Sequence, residues 1–396
     1  YRKVAEDIPT HFAQPDADMI FFAGFNALST AEEKLISWYV SRQMALVFWD
    51  TDNYYLSDER QEAGYFMRQI KQSPGQLAAT FQNDYPNRIL SGDKMITATG
   101  LATDSGQVQQ MAEILKSNNI PADETTAIVL PGNNLLIPVL YALPGTVEKL
   151  NITMGYPLSE STTAGLVLQL LDLLEKQDKR DTYSFRHVLS ILRHQAIQKY
   201  LDAAMEQTAK NIMQANMLRI PGHVLRQTGH DLAELIFRPA VSSVPVFLMD
   251  IVGYLATHEQ DPIQQEFLNA FFKMLQRLKN FCDNYQLTLP VNAFRKLFRV
   301  VLQQERLPFE GEPLTGLQIM GILETRNIDF DHVILLSANE GQIPPSNQEI
   351  SFIPHSIRKA YGLPVVEQRD AMYAYIFYRL IQRAKQVYFL YNASEV

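Results

Sequence analysis

Gln318–Pro345, QIMGILETRNIDFDHVILLSANEGQIPP, decides how the rest of the chain is read. Gln318, Ile319 and Met320 open an apolar run that Glu324, Thr325, Arg326 and Asn327 interrupt with consecutive polar residues. Val333–Leu336 is short and aliphatic throughout, the signature of a strand covered on both faces. Asn339, Glu340 and Gly341 break that run, and Pro344-Pro345 forbids ordinary strand pairing beyond it. A polar cluster between two buried strands fits the end of an open α/β sheet, where such sheets bind ligands. An ordinary surface turn accounts for the same spacing.

With 396 residues the chain is long enough for two or three domains. Its 46% hydrophobic and 20% charged content reads as globular. No apolar run approaches the ~20 residues of a membrane helix. The sequence opens on Tyr1 without a signal-peptide pattern and reads as a piece excised from a longer protein. A lone cysteine, Cys282, excludes an internal disulfide and fits a reducing, cytoplasmic compartment. The net charge of -8 argues against autonomous tight DNA binding but leaves room for a local basic strip.

Outward from the opening stretch, strand and helix patterns alternate. Met19–Phe22 reads as a strand ending at Ala23-Gly24. Ser29-Thr30-Ala31-Glu32 is a capping box that starts a helix running to about Arg42, and Met44–Trp49 is a second strand. Strand, helix, strand implies a parallel pair. Residues 57–94 read as helix and then loop, with Pro86 and Ser91-Gly92-Asp93 as breakers. A second α/β region follows, with strands at Met95–Thr99, Thr126–Leu130 and Asn151–Met154 and helices from Asp104 to Lys116, Leu135 to Leu143 and Leu166 to Lys176. From Tyr183 to about Leu307 helical patterns dominate, punctuated by Pro221, Pro239 and Pro245. The strand signal returns at Gln318, and a helix from Glu367 feeds the strand Gln386–Tyr391.

Several chemistries lack a motif. There is no G-x-x-x-x-G-K-[ST] loop, no G-x-G-x-x-G, no C-x-x-C, no H-E-x-x-H and no G-x-S-x-G. His187/His194 and His230/Glu234 have helical spacings and read as packed or surface side chains before they read as metal ligands. Asp16/Asp18 and Asp50/Asp52 read as solvated turn carboxylates before they read as cation ligands. Trp38, Tyr39, Phe48, Trp49, Tyr54 and Tyr55 form an aromatic-rich region, read mainly as core, with base stacking as the other reading.

Three separated segments, in order, resemble the superfamily 1 helicase fold, and most nearly the AddB-like and RecC-like subunits of bacterial double-strand-break-processing complexes. MIFFAGFNALSTAEEKLI resembles the Walker B segment of such subunits, with Ala23-Gly24 at the degenerate acidic positions. MGILETRNIDFDHVILLSANEGQIPP resembles motif V of UvrD-type helicases and its continuation, T-x-H-x-x-K-G-x-E-F, a strand, then N-E-G-x-F-P. IFYRLIQRAKQVYFLY resembles motif VI. ITATGLATDSGQVQQMAEIL is similar to the strand and helix that open the second motor domain.

The resemblance implies an α/β fold of RecA-like (P-loop NTPase-like) parallel sheets with an inserted all-helical subdomain. Its parts would be residues 1–94, the end of a first RecA-like domain; 95–182, the first half of a second; 183–310, the helical insertion; and 311–396, the second half. Arg383 falls on the motif VI arginine that stabilises γ-phosphate charge in active relatives, and Asp329 on the motif V acid near the nucleotide sugar. Thr325, Arg326 and Asn339 fall at nucleic-acid-binding or coupling positions. The departures are Leu323 for histidine, Asn327 for glycine, Gln382 for threonine, and Ala23-Gly24 for the Walker B acids that hold Mg²⁺. The resemblance therefore implies a DNA-binding and scaffolding part of a helicase–nuclease subunit, partnered with DNA and an AddA-like subunit, without ATP hydrolysis or metal of its own. In the family, ATP/Mg²⁺ and a nuclease domain, often with an iron–sulfur cluster, belong to the longer parent. The alternative is an active ATP-dependent motor whose phosphate loop lies upstream. A small-molecule α/β enzyme using the Gln318–Pro345 turn is a third reading, without a catalytic motif behind it.

Overall fold

A computed structural model describes residues 3, 6–8, 10, 17–91, 93–117, 120–177, 180–214, 217–309, 315–346 and 352–395. Asp16 and Gly92 lie outside the described residues. The chain forms two compact units, Tyr1–Met154 with Phe309–Val396, and Gly155–Pro308.

In the first unit, β1 (Ile20–Ala23) and β2 (Ala45–Phe48) form a parallel pair joined by the helix Thr30–Ser41. The capping box closes as the sequence predicts: Glu32 N–H donates to Ser29 Oγ (3.3 Å) and Ser29 N–H to Glu32 Oε2 (2.7 Å). The side chains of this pair alternate. Phe21 (64% exposed) and Phe48 (52%) stay in solvent, while Phe22 and Val47 pack on the core.

Six further strands form one parallel sheet: β3 (Met95–Leu101), β4 (Thr126–Leu130), β5 (Leu150–Ile152), and three from the end of the chain that are numbered after those of the second unit. In the second unit, β6 (Tyr156–Pro157) pairs with β9 (Arg306–Leu307) and β7 (Thr182–Ser184) with β8 (Arg219–Pro221), both antiparallel. The sheet of the first unit is completed by β10 (Leu317–Gly321), β11 (His332–Leu335) and β12 (Gln386–Asn392), in the order β3-β12-β11-β4-β10-β5. β4 and β10 are buried at every position, as strands covered on both faces must be, and their residues are almost wholly apolar. The polar exceptions are satisfied: Asn151 Nδ2 donates to Gln318 Oε1 (2.7 Å) between neighbouring strands. Val129, Met320, Val333 and Val387 meet Ile376 and Leu380 of the helix Val366–Gln382 in a core that also takes Tyr55 and Met67.

The second unit is mainly helical. Val244–His258 and Pro262–Asn284 pack side by side, the second begun by Asp261, whose carboxylate accepts from Ile263 N–H (2.9 Å). The unit begins at Gly155, well before the Tyr183 start that the fading of strand signals suggests. The helix Thr162–Glu175 belongs to it, because its apolar stripe (Leu166, Leu170, Leu173) sits among the helices of that unit. The short pair β7–β8 is absent from the sequence reading. Its strands are too short to show alternation, and Arg226 holds Asp181 beside them (2.6 Å). Within the stretch of helical patterns, Gly222–Arg226 and Asp231–Ile236 form two short helices parted at Gly229, whose φ of +69° leaves the helical region.

Val333, at the centre of the sheet, is fully buried. Val333→Asp places an unpaired carboxylate there and should cost more than about 4 kcal/mol. Thermal melting by circular dichroism checks this, and a cooperative melt at the wild-type temperature would contradict the placement of β11.

Candidate functional site

The residues at the end of β1 and in the turn after β10 come together. Gly24 has φ +76°, and a Cβ there would stand 2.7 Å from the amide atoms of Asn327. Both the backbone conformation and the close approach therefore require glycine. Asn327, where the resembled pattern has glycine, takes φ +62°, a conformation that asparagine tolerates better than most residues. The exchange keeps the turn.

These residues line a cleft of about 480 Å³ between Ala23-Gly24, the Leu323–Asn327 turn and one face of the Val366–Gln382 helix. Met372, Tyr375, Ile376 and Arg379 supply the helix wall, and among the described residues Glu324 is the only carboxylate in the lining. The side-chain amide of Asn26 is enclosed in the same wall, and among the described residues no group hydrogen-bonds to it.

Behind the cleft lies a cluster of four charges. Arg379, whose side chain is only 5% exposed, donates from Nη1 to Asp329 Oδ1 (2.6 Å), while its Nε lies against Asp50 Oδ2 as an ion pair without hydrogen-bond alignment. Arg383, one turn further on, donates from Nη2 to Asp50 Oδ1 (2.7 Å) and from Nη1 to Asp50 Oδ2 (3.1 Å) and Asp329 Oδ1 (3.2 Å). Burial works to raise the Asp50 carboxyl, but hydrogen bonds from Arg383 and the charge of Arg379 outweigh it and hold it below its ordinary value. The same contact raises Arg383, so its guanidinium is held more firmly charged. Tyr375 adds a hydrogen bond from its hydroxyl to the Asp50 carbonyl (2.9 Å), and Gln382 accepts one from Tyr55 (3.0 Å). The end of β2 is thereby fastened to the helix.

Of the residues singled out from the sequence, Ala23, Gly24 and Arg326 line the cleft, and Asp329 and Arg383 join the charge cluster. Arg326 is exposed at the cleft, with its Nε on the Leu323 carbonyl (3.1 Å). Thr325 is buried, its hydroxyl donating to the Ile322 carbonyl (2.7 Å), a turn-closing contact. Asn339 is buried elsewhere, donating to the Asn392 carbonyl (2.9 Å) and accepting from the Asn392 N–H (2.8 Å), which joins the end of β12 to the loop after β11.

Asp50 and Asp52 are not solvated turn carboxylates. Asp52 is fully buried and accepts from the N–H groups of Tyr54 (2.9 Å), Arg88 (2.7 Å) and Ile89 (3.3 Å). Three backbone donors that need an acceptor account for its burial. Arg379 escaped the sequence reading, although its i, i+4 spacing with Arg383 marks it as lying on the same helix face. Of the aromatic group, Tyr39, Trp49 and Tyr55 are core, and Trp49 donates to Thr80 Oγ1 (2.8 Å) and stacks on Phe81.

His187 and His194 lie on either side of a helix break. His194 caps the short helix Gln195–Gln198, accepting from Ala196 N–H at Nδ1 (3.2 Å). His230 caps Asp231–Ile236 and meets the Tyr200 carbonyl at Nε2 (2.8 Å). Among the described residues no group of three His, Cys, Asp or Glu side chains is placed to hold a metal, and no helix is long and apolar enough to cross a membrane. No family model matches the chain, and no curated protein does.

Asp50→Asn removes a charge that a buried guanidinium requires, and should destabilise the chain by about 3 kcal/mol. The carboxyl is depressed in the folded chain, so its contribution is complete above its ordinary value of 3.8 and fades as pH falls through the lower folded value. Urea melts of both forms from pH 7 to 3 should show the difference between them narrowing only below about pH 4. A constant difference across that range would contradict the ion-pair assignment.

Proposed function

We propose that the chain is a DNA-binding and scaffolding module with a degenerate helicase-type core, part of an AddB-like subunit in bacterial recombinational repair, and that it does not hydrolyse ATP itself. One observation carries the reading. The residues whose motifs resemble Walker B, motif V and motif VI are far apart in the sequence, yet they gather around one cleft and its adjoining charge cluster. Three independent resemblances would not be expected to converge if each were a chance match.

The chemistry of that cleft favours scaffolding over turnover. An arginine that stabilises a transferring phosphoryl group must present unpaired donors to it. Arg379 and Arg383 are instead ion-paired with Asp50 and Asp329. A nucleotide phosphate would have to displace two carboxylates to reach them. At the Walker B position stand a methyl group and a glycine, neither of which ligates Mg²⁺ or orients water. On this reading the exposed Arg326 is a contact for a nucleic-acid phosphate, and an AddA-like subunit supplies the motor.

Fluorescence anisotropy with labelled single- and double-stranded DNA, alongside an ATP turnover assay, tests the proposal. The expected result is DNA binding that weakens log-linearly with salt, with no ATP turnover above background in its presence or absence. Arg326→Ala should weaken binding and lower the salt slope by about one. DNA-stimulated hydrolysis abolished by Arg383→Ala would overturn the scaffold reading in favour of a motor. No binding to either DNA at low salt would overturn the nucleic-acid part.

A further inference from the structure

β3 is the edge strand of the six-stranded sheet, and among the described residues no strand pairs with its outer side. Its inner register against β12 is complete from Met95↔Gln386 to Leu101↔Asn392. Met95 N–H donates inward, to the Lys385 carbonyl (2.9 Å). Backbone groups alternate along a strand, so Ile96, Ala98 and Gly100 turn their N–H and C=O outward. Edge strands of soluble proteins are usually blunted by charge, proline or a bulge. MITATGL carries no charge and no proline, and Ile96 is 51% exposed.

A hollow lies on each face of this strand. On the face of the Val366–Gln382 helix, Ala98 opens into a cavity of about 640 Å³ walled by Tyr373, Phe377, Tyr378, Phe389 and Tyr391. Gly100 makes room for one wall, since a Cβ there would stand 2.8 Å from the Tyr391 ring. On the opposite face, Thr97 and Thr99 border an uncharged hollow of about 420 Å³ with Gln110, Ile114 and Tyr388. Small residues at alternate positions of an edge strand leave both hollows unfilled.

The larger cavity is selective by charge. Glu62, Glu340 and Asp370 stand in its lining against one guanidinium, Arg60. Arg60 is bonded twice to Asp58 (3.1 and 3.0 Å), while Asp370 has Arg369 nearby (3.4 Å). Aromatic walls with an acidic lining suit a side chain with an apolar stem and a cationic end. The same carboxylates repel a phosphate backbone.

We propose that β3 is a strand-addition site for an extended segment of a partner protein, seating an arginine or lysine in the aromatic cavity and an uncharged neighbour in the hollow on the other face. Outward backbone groups supply the ladder, and pockets on alternate sides supply selectivity. The inference does not depend on the DNA-handling reading above, and each can fail alone.

The test uses the whole chain and a fluorescein-labelled octapeptide of alternating threonine and valine with one central arginine. The same peptide with glutamate in place of arginine is the control. Binding should favour the arginine peptide by at least about tenfold, and Glu340→Lys should remove most of that preference. The amides of Ile96, Ala98 and Gly100 should gain hydrogen-exchange protection on binding. Ala98→Pro deletes an outward N–H that no inner ladder bond uses, so it should leave the melting temperature nearly unchanged and weaken binding at least about tenfold. If that variant does not fold, the exchange pattern of the wild type decides. Equal affinity for the two peptides, no binding of either at 1 mM (about the weakest affinity worth measuring), or protection elsewhere would overturn the proposal. So would competition by single-stranded DNA, or self-association of the chain that Ala98→Pro abolishes, which would make a second copy the occupant.

Discussion

Two guanidiniums one helical turn apart, Arg379 and Arg383, meet two carboxylates, Asp50 and Asp329, and much of the first unit rests on that meeting. Arg379 is nearly enclosed and cannot be left without a counter-charge. Asp50 provides it from the end of β2, so the parallel pair β1–β2 is held where Gly24 touches Asn327. Around the same end of β2 the Tyr375 hydroxyl donates to the Asp50 carbonyl and Gln382 Nε2 to the Asp50 carboxylate. Once the four charges are paired, the cleft in front of them has a fixed wall, with the exposed Arg326 as the cation at its rim outside the cluster.

That constraint separates architecture from activity. The shape of the cleft depends on φ-positive residues at Gly24 and Asn327, and on a helix that brings two arginines to one face. A working nucleotide site would need those arginines unpaired and acids at the end of β1. In this chain the frame is present, the arginines are paired, and Ala23-Gly24 stand at the end of β1. A protein can keep such a frame for positioning a polymer or a partner while the energy-using step resides elsewhere.

Much of this was legible in the residues. β4, β10 and β11 announce themselves as short aliphatic runs because both their faces are covered. The helix ending at Gln382 and the strand after it are plain from period alone. What periodicity could not show was partnership across distance. Asp50 and Asp52 look like turn carboxylates in the sequence. Their burial follows from Arg379 and Arg383, more than three hundred residues on, and from the backbone donors at Arg88 and Ile89. Asn339 looked available for recognition, yet its amide is taken up by the Asn392 backbone. The stripe on Thr162–Glu175 states only that one face is covered, and not which unit covers it, so the sequence does not carry the helical unit back to Gly155.

A double-mutant cycle on Asp50 and Arg383, Asp50→Asn with Arg383→Gln in equilibrium unfolding, measures the central interaction most directly. A coupling energy of more than about 1.5 kcal/mol is the expected result, as found for close charge pairs shielded from water. Additivity within about 0.5 kcal/mol would contradict it. It would mean that Arg383 is not held by Asp50 and is free to meet a phosphate.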